Sequence, residues 1–438
     1  MNPRLTPLDP WIAGKLAPRP APLTCAALEA YQLRRLQATL RLARERSRFY
    51  RQHLAQAPEA LGSLADLARF PFTTARHIRD QALSLLCVSQ DDIQRVVTLD
   101  TSGTTGAPKR LYFTRDDQEL TIDFFQAGMS TFTSPGDRVL ILLPGERPGS
   151  VGDLLALGLR RLGAHPIKHG PVREVSAALE VLRREAATGL VGIPTQVLAL
   201  ARHSPGLKLK SVLLSTDHVP EAIRRAIRQA WDCRVYNHYG MTEMGLGGGV
   251  ECEAQRGYHL READLYFEII DPLSREPLPE GQTGEVVFTT LTRRGMPLIR
   301  YRTGDLSRFV PGPCPCGTAL KTLEWVRRRV HGLLPLGGGG PLAMADLDEA
   351  LFALEGILDF SASMTRMGMH DSLNLAVTAL EGQGEGLARA VEDAAGAIAA
   401  VQAARAAGQL EVSVTVQAPG GAPLPRPAKR QIVDLRTP

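Results

Sequence analysis

The densest chemistry in the chain lies at residues 101–109, TSGTTGAPK, directly after a β-rich run, VVTLD (96–100). Glycines let the backbone approach a phosphate closely and aim several N–H groups at it. The hydroxyls of Thr101, Ser102, Thr104 and Thr105 add hydrogen bonds, and Lys109 adds a point charge. The segment is not a P-loop, because the lysine follows Pro108 and no Ser or Thr comes after it. A flexible surface loop is the competing reading of such a composition. A second constellation is Cys252, His259, Cys314 and Cys316, carried by ECEAQRGYH and CPCG. Three thiolates and an imidazole make a closed tetrahedral zinc site, structural because no position is left for water, whereas free thiols in simple turns are the plainer alternative.

Elements must hold these groups. From Thr24, an N-cap, to about Gln56 the spacing of Leu28, Leu33, Leu36 and Leu40 predicts a helix, after an irregular Pro-rich stretch at 1–23. Between 137 and 240, short β-rich runs (138–143, 189–193, 211–215, 233–237) alternate with amphipathic helical runs (154–164, 176–187, 220–231). Strand–helix–strand repetition predicts parallel strands with crossover helices. After 260, DLYFEII, GEVVFTTL and PLIRYR follow one another without helices, which predicts a smaller antiparallel sheet. Near 326 the composition turns basic and then Gly-rich, and a small α+β piece follows, with a helix from Met344, one Ala-rich helix at 394–407 and a strand at 410–416. The fold class expected is α/β: a large N-terminal domain of parallel-sheet α/β subdomains with a small antiparallel β subdomain (1–326), then a small α+β C-terminal domain (327–438).

Three blocks in order, TSGTTGAPK (101–109), NHYGMTEMG (237–245) and GEVVFTTLTRRGMPLIRYRTGDL (284–306), resemble the adenylate-forming superfamily of acyl- and aryl-CoA synthetases. The wording of the last, with SRFYRQHL (47–54) and LADLARFPFTTARHIRD (64–80), is most similar to the phenylacetate–CoA ligase branch. The resemblance implies ATP, Mg²⁺ and CoA as cofactors and assigns roles. Thr101, Ser102, Gly103, Thr104, Thr105, Gly106 and Lys109 would hold the β- and γ-phosphates. Tyr239 would stack on adenine within the run His238, Tyr239, Gly240, Met241 and Thr242, where Thr242 reaches the α-phosphate. Glu243 would bind Mg²⁺, a cation that prefers hard oxygens. Asp305 would accept the ribose hydroxyls, and Asp217 would stand in for an acid near adenine. Lys429, in LPRPAKRQIVDLR, resembles the tail lysine that stabilises charge developing during adenylation, although Ala428 replaces the usual glycine. Lys429, Thr105 and Glu243 would thus be catalytic. An exposed tail lysine beside Arg430 is the plainer reading. Some relatives also carry such cysteines.

One departure concerns the hinge. The resemblance implies a mobile cap that rotates between adenylation and thioester formation. Here VRRRVHGLLPLGGGGPL replaces the expected acidic hinge, so the glycines at 332 and 337–340 would supply the mobility.

The activity implied is ATP-dependent activation of a carboxylic acid, aromatic or arylacetic, as acyl-AMP, followed by transfer to CoA. Two alternatives stand beside it: a non-CoA acyl acceptor, and a non-catalytic adenylate-binding scaffold. The 51 basic and 46 acidic residues leave +5, too thin an excess over 438 residues to indicate nucleic acid. No apolar run reaches the roughly 18 residues of a membrane span, and the first 22 residues lack the apolar core of a secretory signal. Six cysteines without a disulfide framework suit a reducing compartment, so the expected location is cytoplasmic, with a homodimer an allowed assembly.

Overall fold

The computed structural model describes residues 3–17, 21–99, 108–368, 370–382, 386–417 and 430–436. The chain divides into two units, each discontinuous. Unit 1 comprises 1–135, 146–164 and 238–326; unit 2 comprises 136–145, 165–237 and 327–438.

In unit 2 the β-rich runs become a parallel ladder in the order 234–237, Ser211–Leu214, Gly189–Gly192, Arg138–Ile141, His165–Lys168. Gly189–Gly192 and Ser211–Leu214 are buried at every position, as strands covered on both faces must be. The crossover helices are Val175–Arg184, Pro194–His203 and Glu221–Trp231. Close packing of the second is set by Gly192, where a Cβ would meet Val197 Cγ2 at 2.7 Å. Residues 327–438 contribute the helix Met344–Leu351 and a hairpin, Ile357–Met367 with His370–Ala379. That hairpin is flanked in parallel by Leu410–Gln417 and Ile432–Asp434. Leu351, Phe352 and Phe360 share one buried cluster with Leu198, Ile223 and Trp231.

Unit 1 carries the helices Cys25–Arg46 and Arg48–His53, the antiparallel pair Ile93–Leu99 with Lys109–Thr114, and the helix Arg115–Met129. Its antiparallel strands are Leu265–Ile270, Gly284–Thr290 and Tyr301–Ser307 in one sheet, and Gly249–Glu251, Tyr258–Leu260 and Thr322–Leu323 in a second ladder. Arg300, 1% exposed, ties the N-terminal region to the first of these. It pairs with Glu268, donates to the carbonyls of Ala68 and Phe70, and lies 4.1 Å from the Phe72 ring centroid.

The α/β class with a parallel sheet and separate antiparallel strands is as expected. Three local expectations are corrected. Residues Leu8–Leu16 form a helix, because Leu8 and Ile12, one turn apart, are fully buried. The long helix stops at Arg46, and Ser47 begins a new one by accepting from Tyr50 N. The Ala-rich segment is two helices, Leu387–Gly396 and Ala399–Ala406, broken just after a glycine. Among the described residues no helix is long and apolar enough to cross a membrane.

Candidate active site and a buried thiol–imidazole cluster

Unit 1 gathers the site residues that sequence reasoning drew from three distant blocks. Lys109 opens a strand whose remainder is progressively buried. Its ammonium forms an ion pair with Glu243, which lies in the short helical turn Thr242–Met244. Tyr301, at the head of its strand, donates its hydroxyl to the same Glu243 oxygen at 3.0 Å. Burial alone would push the Glu243 carboxyl up, but the Lys109 ammonium and the Tyr301 hydroxyl hold it below the usual carboxylate range. Arg293 fixes the main chain of the turn by donating Nη1 to the Glu243 carbonyl at 2.8 Å, and its guanidinium lies 4.7 Å from the Phe113 ring centroid. Gly240 is required by the same turn: a Cβ there would lie 2.3 Å from the Leu246 carbonyl oxygen.

The strand Arg234–Tyr239 delivers His238 and Tyr239 at its C-terminal end, where they pair with Val250 and Gly249. Tyr239 stacks on Tyr258 with ring centroids 5.6 Å apart and donates its hydroxyl to Asp305 at 3.0 Å. Burial first, and then the Asp305 carboxylate, push that phenol well above its ordinary range, so it remains a donor. Asp305 lies in Tyr301–Ser307 and shares the buried face of that alternating strand with Tyr301 and Thr303. His238 sits 6.2 Å from both Phe124 and Phe125, and burial lowers it to about 4, so its imidazole is neutral at working pH.

Lys109, Glu243, Tyr239 and Asp305 therefore stand in one unit, joined through Tyr301. Gly240, Met241 and Thr242 form the turn that carries Glu243, with the Met241 carbonyl accepting from Met244 N and Leu246 N. Tyr301 and Arg293 were missed as individual residues; both lie inside the 284–306 block, where a tyrosine four positions before Asp305 was a readable signal. Asp217 belongs to unit 2, where its two oxygens accept from the backbone N–H groups of His218 (2.8 Å) and Arg430 (3.1 Å). Thr101, Ser102, Gly103, Thr104, Thr105, Gly106 and Lys429 lie outside the described residues.

The thiol–imidazole set is brought together. The ligating atoms of Cys252, His259, Cys314 and Cys316 all lie within 4.8 Å of one another, and all four residues are buried. His259 occupies Tyr258–Leu260, which pairs with Thr322–Leu323. Gly257 (φ +136°) admits the close approach of the two, since a Cβ would lie 2.3 Å from the Leu323 oxygen. A zinc tetrahedron with Zn–S bonds of about 2.3 Å has S···S edges near ~3.8 Å, and S···N edges near ~3.6 Å. The Cys252–Cys314 separation is 3.7 Å and Cys316 Sγ to His259 Nε2 is 3.4 Å. A disulfide would need about 2.05 Å. His259 Nδ1 faces the Lys321 carbonyl at 3.3 Å, the outer hydrogen bond that leaves Nε2 for a metal.

Residues 54–291 match the AMP-binding enzyme family. The chain is 32% identical over 303 residues to a phenylacetate–coenzyme A ligase of Pseudomonas putida, covering 65% of this chain and 67% of that one. It is 30% identical to a phenylacetate–coenzyme A ligase of Thermus thermophilus, covering 93% and 97%. Among solved structures, a 2-hydroxyisobutyryl-CoA ligase in the postadenylation state superposes with a TM-score of 0.79 at 24% identity, covering 94% of this chain and 90% of that one, a likeness of fold. With a family match over 54–291 and a relative 30% identical across 93% of its length, the chain belongs to the adenylate-forming superfamily of AMP-binding enzymes, in its phenylacetate–CoA ligase-like branch.

Proposed function

We propose that the protein activates a carboxylic acid, aromatic or arylacetic, with ATP and transfers the acyl group to CoA. The observation that carries this reading is the half-buried Lys109 paired with the buried Glu243 and Tyr301, in one unit with Tyr239–Asp305, in a chain of this family. The acid's carboxylate attacks the α-phosphorus, forming an acyl–O–P bond and expelling pyrophosphate. The CoA thiol then attacks the acyl carbonyl, loses its proton and expels AMP. Both leaving groups are weakly basic, which is the gain from splitting the reaction in two.

In this reading the 101–106 loop and Lys109 bind the β- and γ-phosphates. Thr105 and Lys429 stabilise charge in the transition state, and Thr242 reaches the α-phosphate. Asp305 accepts ribose hydroxyls, a carboxylate having room for more than one donor. Tyr239, braced by Tyr258, offers a ring edge and face to adenine. Glu243 supplies a hard oxygen for Mg²⁺, which would neutralise phosphate charge. Residues 327–438 act as the cap that moves between the two steps. The tetrahedral spacing of Cys252, His259, Cys314 and Cys316 supports a structural zinc ion. A cytoplasmic location, where ATP and CoA are available and thiols stay reduced, belongs to the same reading.

The test is ATP–pyrophosphate exchange across aryl, arylacetic and short aliphatic acids, followed by CoA-dependent AMP release on each acid that supports exchange. Exchange with CoA-dependent AMP release is the expected result. Exchange indifferent to CoA would assign another acyl acceptor, and ATP binding without exchange for any acid would overturn the enzymatic reading.

A further inference from the structure

The Lys109–Glu243 pair joins a side chain free to rotate to one that is fixed. The Glu243 side chain is 6% exposed, and its turn is tied down by Arg293, which donates to the Glu243 carbonyl at 2.8 Å. Tyr301 is held as firmly: its ring is buried against Phe288, centroids 5.4 Å apart, and its hydroxyl donates to Glu243 Oε1 at 3.0 Å. Lys109 differs. Its main chain is fixed opposite Leu99 in an antiparallel ladder, but its side chain is 18% exposed and carries the ammonium on a flexible four-carbon stem. That ammonium and the Tyr301 hydroxyl share one carboxylate oxygen.

A buried carboxylate keeps its charge only where a cation or several donors compensate it. The Tyr301 hydroxyl brings no charge, so the ammonium is what neutralises Glu243. A Mg²⁺ ligand must be an ionised hard oxygen, and a carboxylate oxygen that already holds a compact cation meets that requirement. One oxygen cannot hold both, because an ammonium and a dication a few ångströms apart repel strongly in a partly desolvated site. The pair also differs in kind from the structural one in the same unit. Arg300 is forked onto Glu268, Nε to Oε2 at 3.2 Å and Nη2 to Oε1 at 2.9 Å, which locks both side chains. A lysine is a point charge that can change partners.

We propose that the Lys109 ammonium and Mg²⁺ compete for Glu243, so that Lys109 guards the metal-binding carboxylate until the phosphates of ATP draw its ammonium away. This rests on the reading of Lys109 as a phosphate ligand and Glu243 as a metal ligand. No covalent bond changes: one cation replaces another on a fixed carboxylate, and Tyr301 keeps its hydrogen bond throughout. Two consequences follow from the competition. Glu243 is a poor site for a divalent ion in the absence of ATP, and ATP and the metal each strengthen the binding of the other. The attraction between Lys109 and the phosphates is in turn offset by the pair that Lys109 must leave.

The experiment titrates the full chain, freed of nucleotide, with Mn²⁺, an oxygen-seeking ion followed by its electron paramagnetic resonance, and separately with ATP in the presence of a metal chelator. Wild type is compared with Lys109→Met, Lys109→Arg, Glu243→Gln and the double variant Lys109→Met/Glu243→Gln, with melting temperature followed throughout. A charge-assisted contact corresponds to roughly tenfold or more in an equilibrium constant. Lys109→Met should bind Mn²⁺ without nucleotide tighter than wild type by about that factor, and Lys109→Arg, which keeps a cation, should not. The double variant should lose the gain, which assigns it to Glu243. Glu243→Gln should bind metal-free ATP about tenfold tighter than wild type, because Lys109 has no pair to leave. The same substitution made in Lys109→Met should give a smaller gain, which separates release of the lysine from simple loss of a negative charge. If Lys109→Met does not fold, the Glu243→Gln titration decides. Unchanged Mn²⁺ affinity in Lys109→Met, a gain that survives in the double variant, or metal-free ATP bound no more tightly by Glu243→Gln would each overturn the inference. A wild type that binds ATP neither with nor without metal would instead refute the ATP-binding reading, and the competition with it.

Discussion

Replacing Cys316 with serine should remove a metal clip from unit 1, and the size of the effect follows from the chain it closes. Cys252 and Cys316 bound a loop of roughly 60 residues, and tying off a loop of that length removes about 4 kcal/mol of denatured-state entropy in the chain-closure model. For a cooperative unit of this size, about 4 kcal/mol corresponds to a fall in Tm on the order of 10 °C. The native cost adds to this, because a thiol and an imidazole already buried at cluster positions would lose their common partner. Activity should fall as well: Gly249–Glu251 pairs on one side with Tyr258–Leu260, which carries His259, and on the other with His238 and Tyr239. The assay is zinc content per chain by elemental analysis, with thermal unfolding before and after a strong chelator, and again after zinc is restored. The expectation is one zinc per chain in the wild type, a chelator-induced fall matched by Cys316→Ser, and recovery with zinc in the wild type alone. Folded wild-type protein from zinc-replete cells holding less than about 0.1 equivalent of zinc, with a Tm that neither chelator nor substitution moves, would refute the reasoning.

Three further outcomes test the Lys109–Glu243–Tyr301 array and the acid at position 348. Tyr301→Phe deletes a hydrogen bond to a buried carboxylate, worth about 1.5–3 kcal/mol, and should lower exchange tenfold or more while raising the Mg²⁺ concentration required; an unchanged Mg²⁺ titration would remove Tyr301 from the site. Lys109→Met strips buried Glu243 of its cation. In the wild type the depressed Glu243 pKa contributes stability above the unfolded value of about 4.3 that is lost as pH falls through the folded pKa. In the variant burial raises the pKa, so stability and exchange should fall from pH 5 towards 8 relative to wild type in melting and rate profiles, and parallel profiles would count against the pair. Asp348 is pushed up to about 7 by burial, then by Asp217 and Asp359, against the pull of Arg430. Its folded pKa exceeds the unfolded value of about 3.9, so its contribution is present below that value and is lost as pH rises towards 7. Asp348→Asn should therefore melt with less loss than wild type between pH 4 and 7; equal slopes would refute that assignment.

What the sequence disclosed depended on how local the signal was. Most of the parallel ladder was legible because Arg138–Ile141, Gly189–Gly192 and Ser211–Leu214 are short β-rich runs set among amphipathic helices, a pattern fixed within about 30 residues, whereas the polar, partly exposed edge strand His165–Lys168 gave no such signal. The helix Leu8–Leu16 was hidden, because its mixture of proline and charge gives a weak amphipathic signal and its burial comes from partners such as Phe124 beside Trp11. The site was legible in its motifs and opaque in its wiring. Tyr239, Glu243 and Asp305 announce themselves by spacing, yet nothing local says that Tyr301 reaches Glu243 across 58 positions or that Tyr239 reaches Asp305 across 66. The cysteines offered ligand types, but only the pairing of Thr322 with His259 brings the two halves of the cluster into register.

The buried Arg300 has a consequence for synthesis on the ribosome. Its guanidinium reaches back to the carbonyls of Ala68 and Phe70, and Thr73 likewise depends on the carbonyls of Ile299 and Arg300. The first seventy residues therefore cannot complete their packing until some 230 more have been translated, while unit 2 is interleaved between the pieces of unit 1. At about 5–20 residues per second that interval lasts some ten seconds or more. Throughout it the apolar face of Cys25–Arg46, with Leu36 and Leu40 at its centre, has no final partner. Expression of this enzyme should thus depend on holding chaperones and on growth temperature far more than its finished structure would suggest.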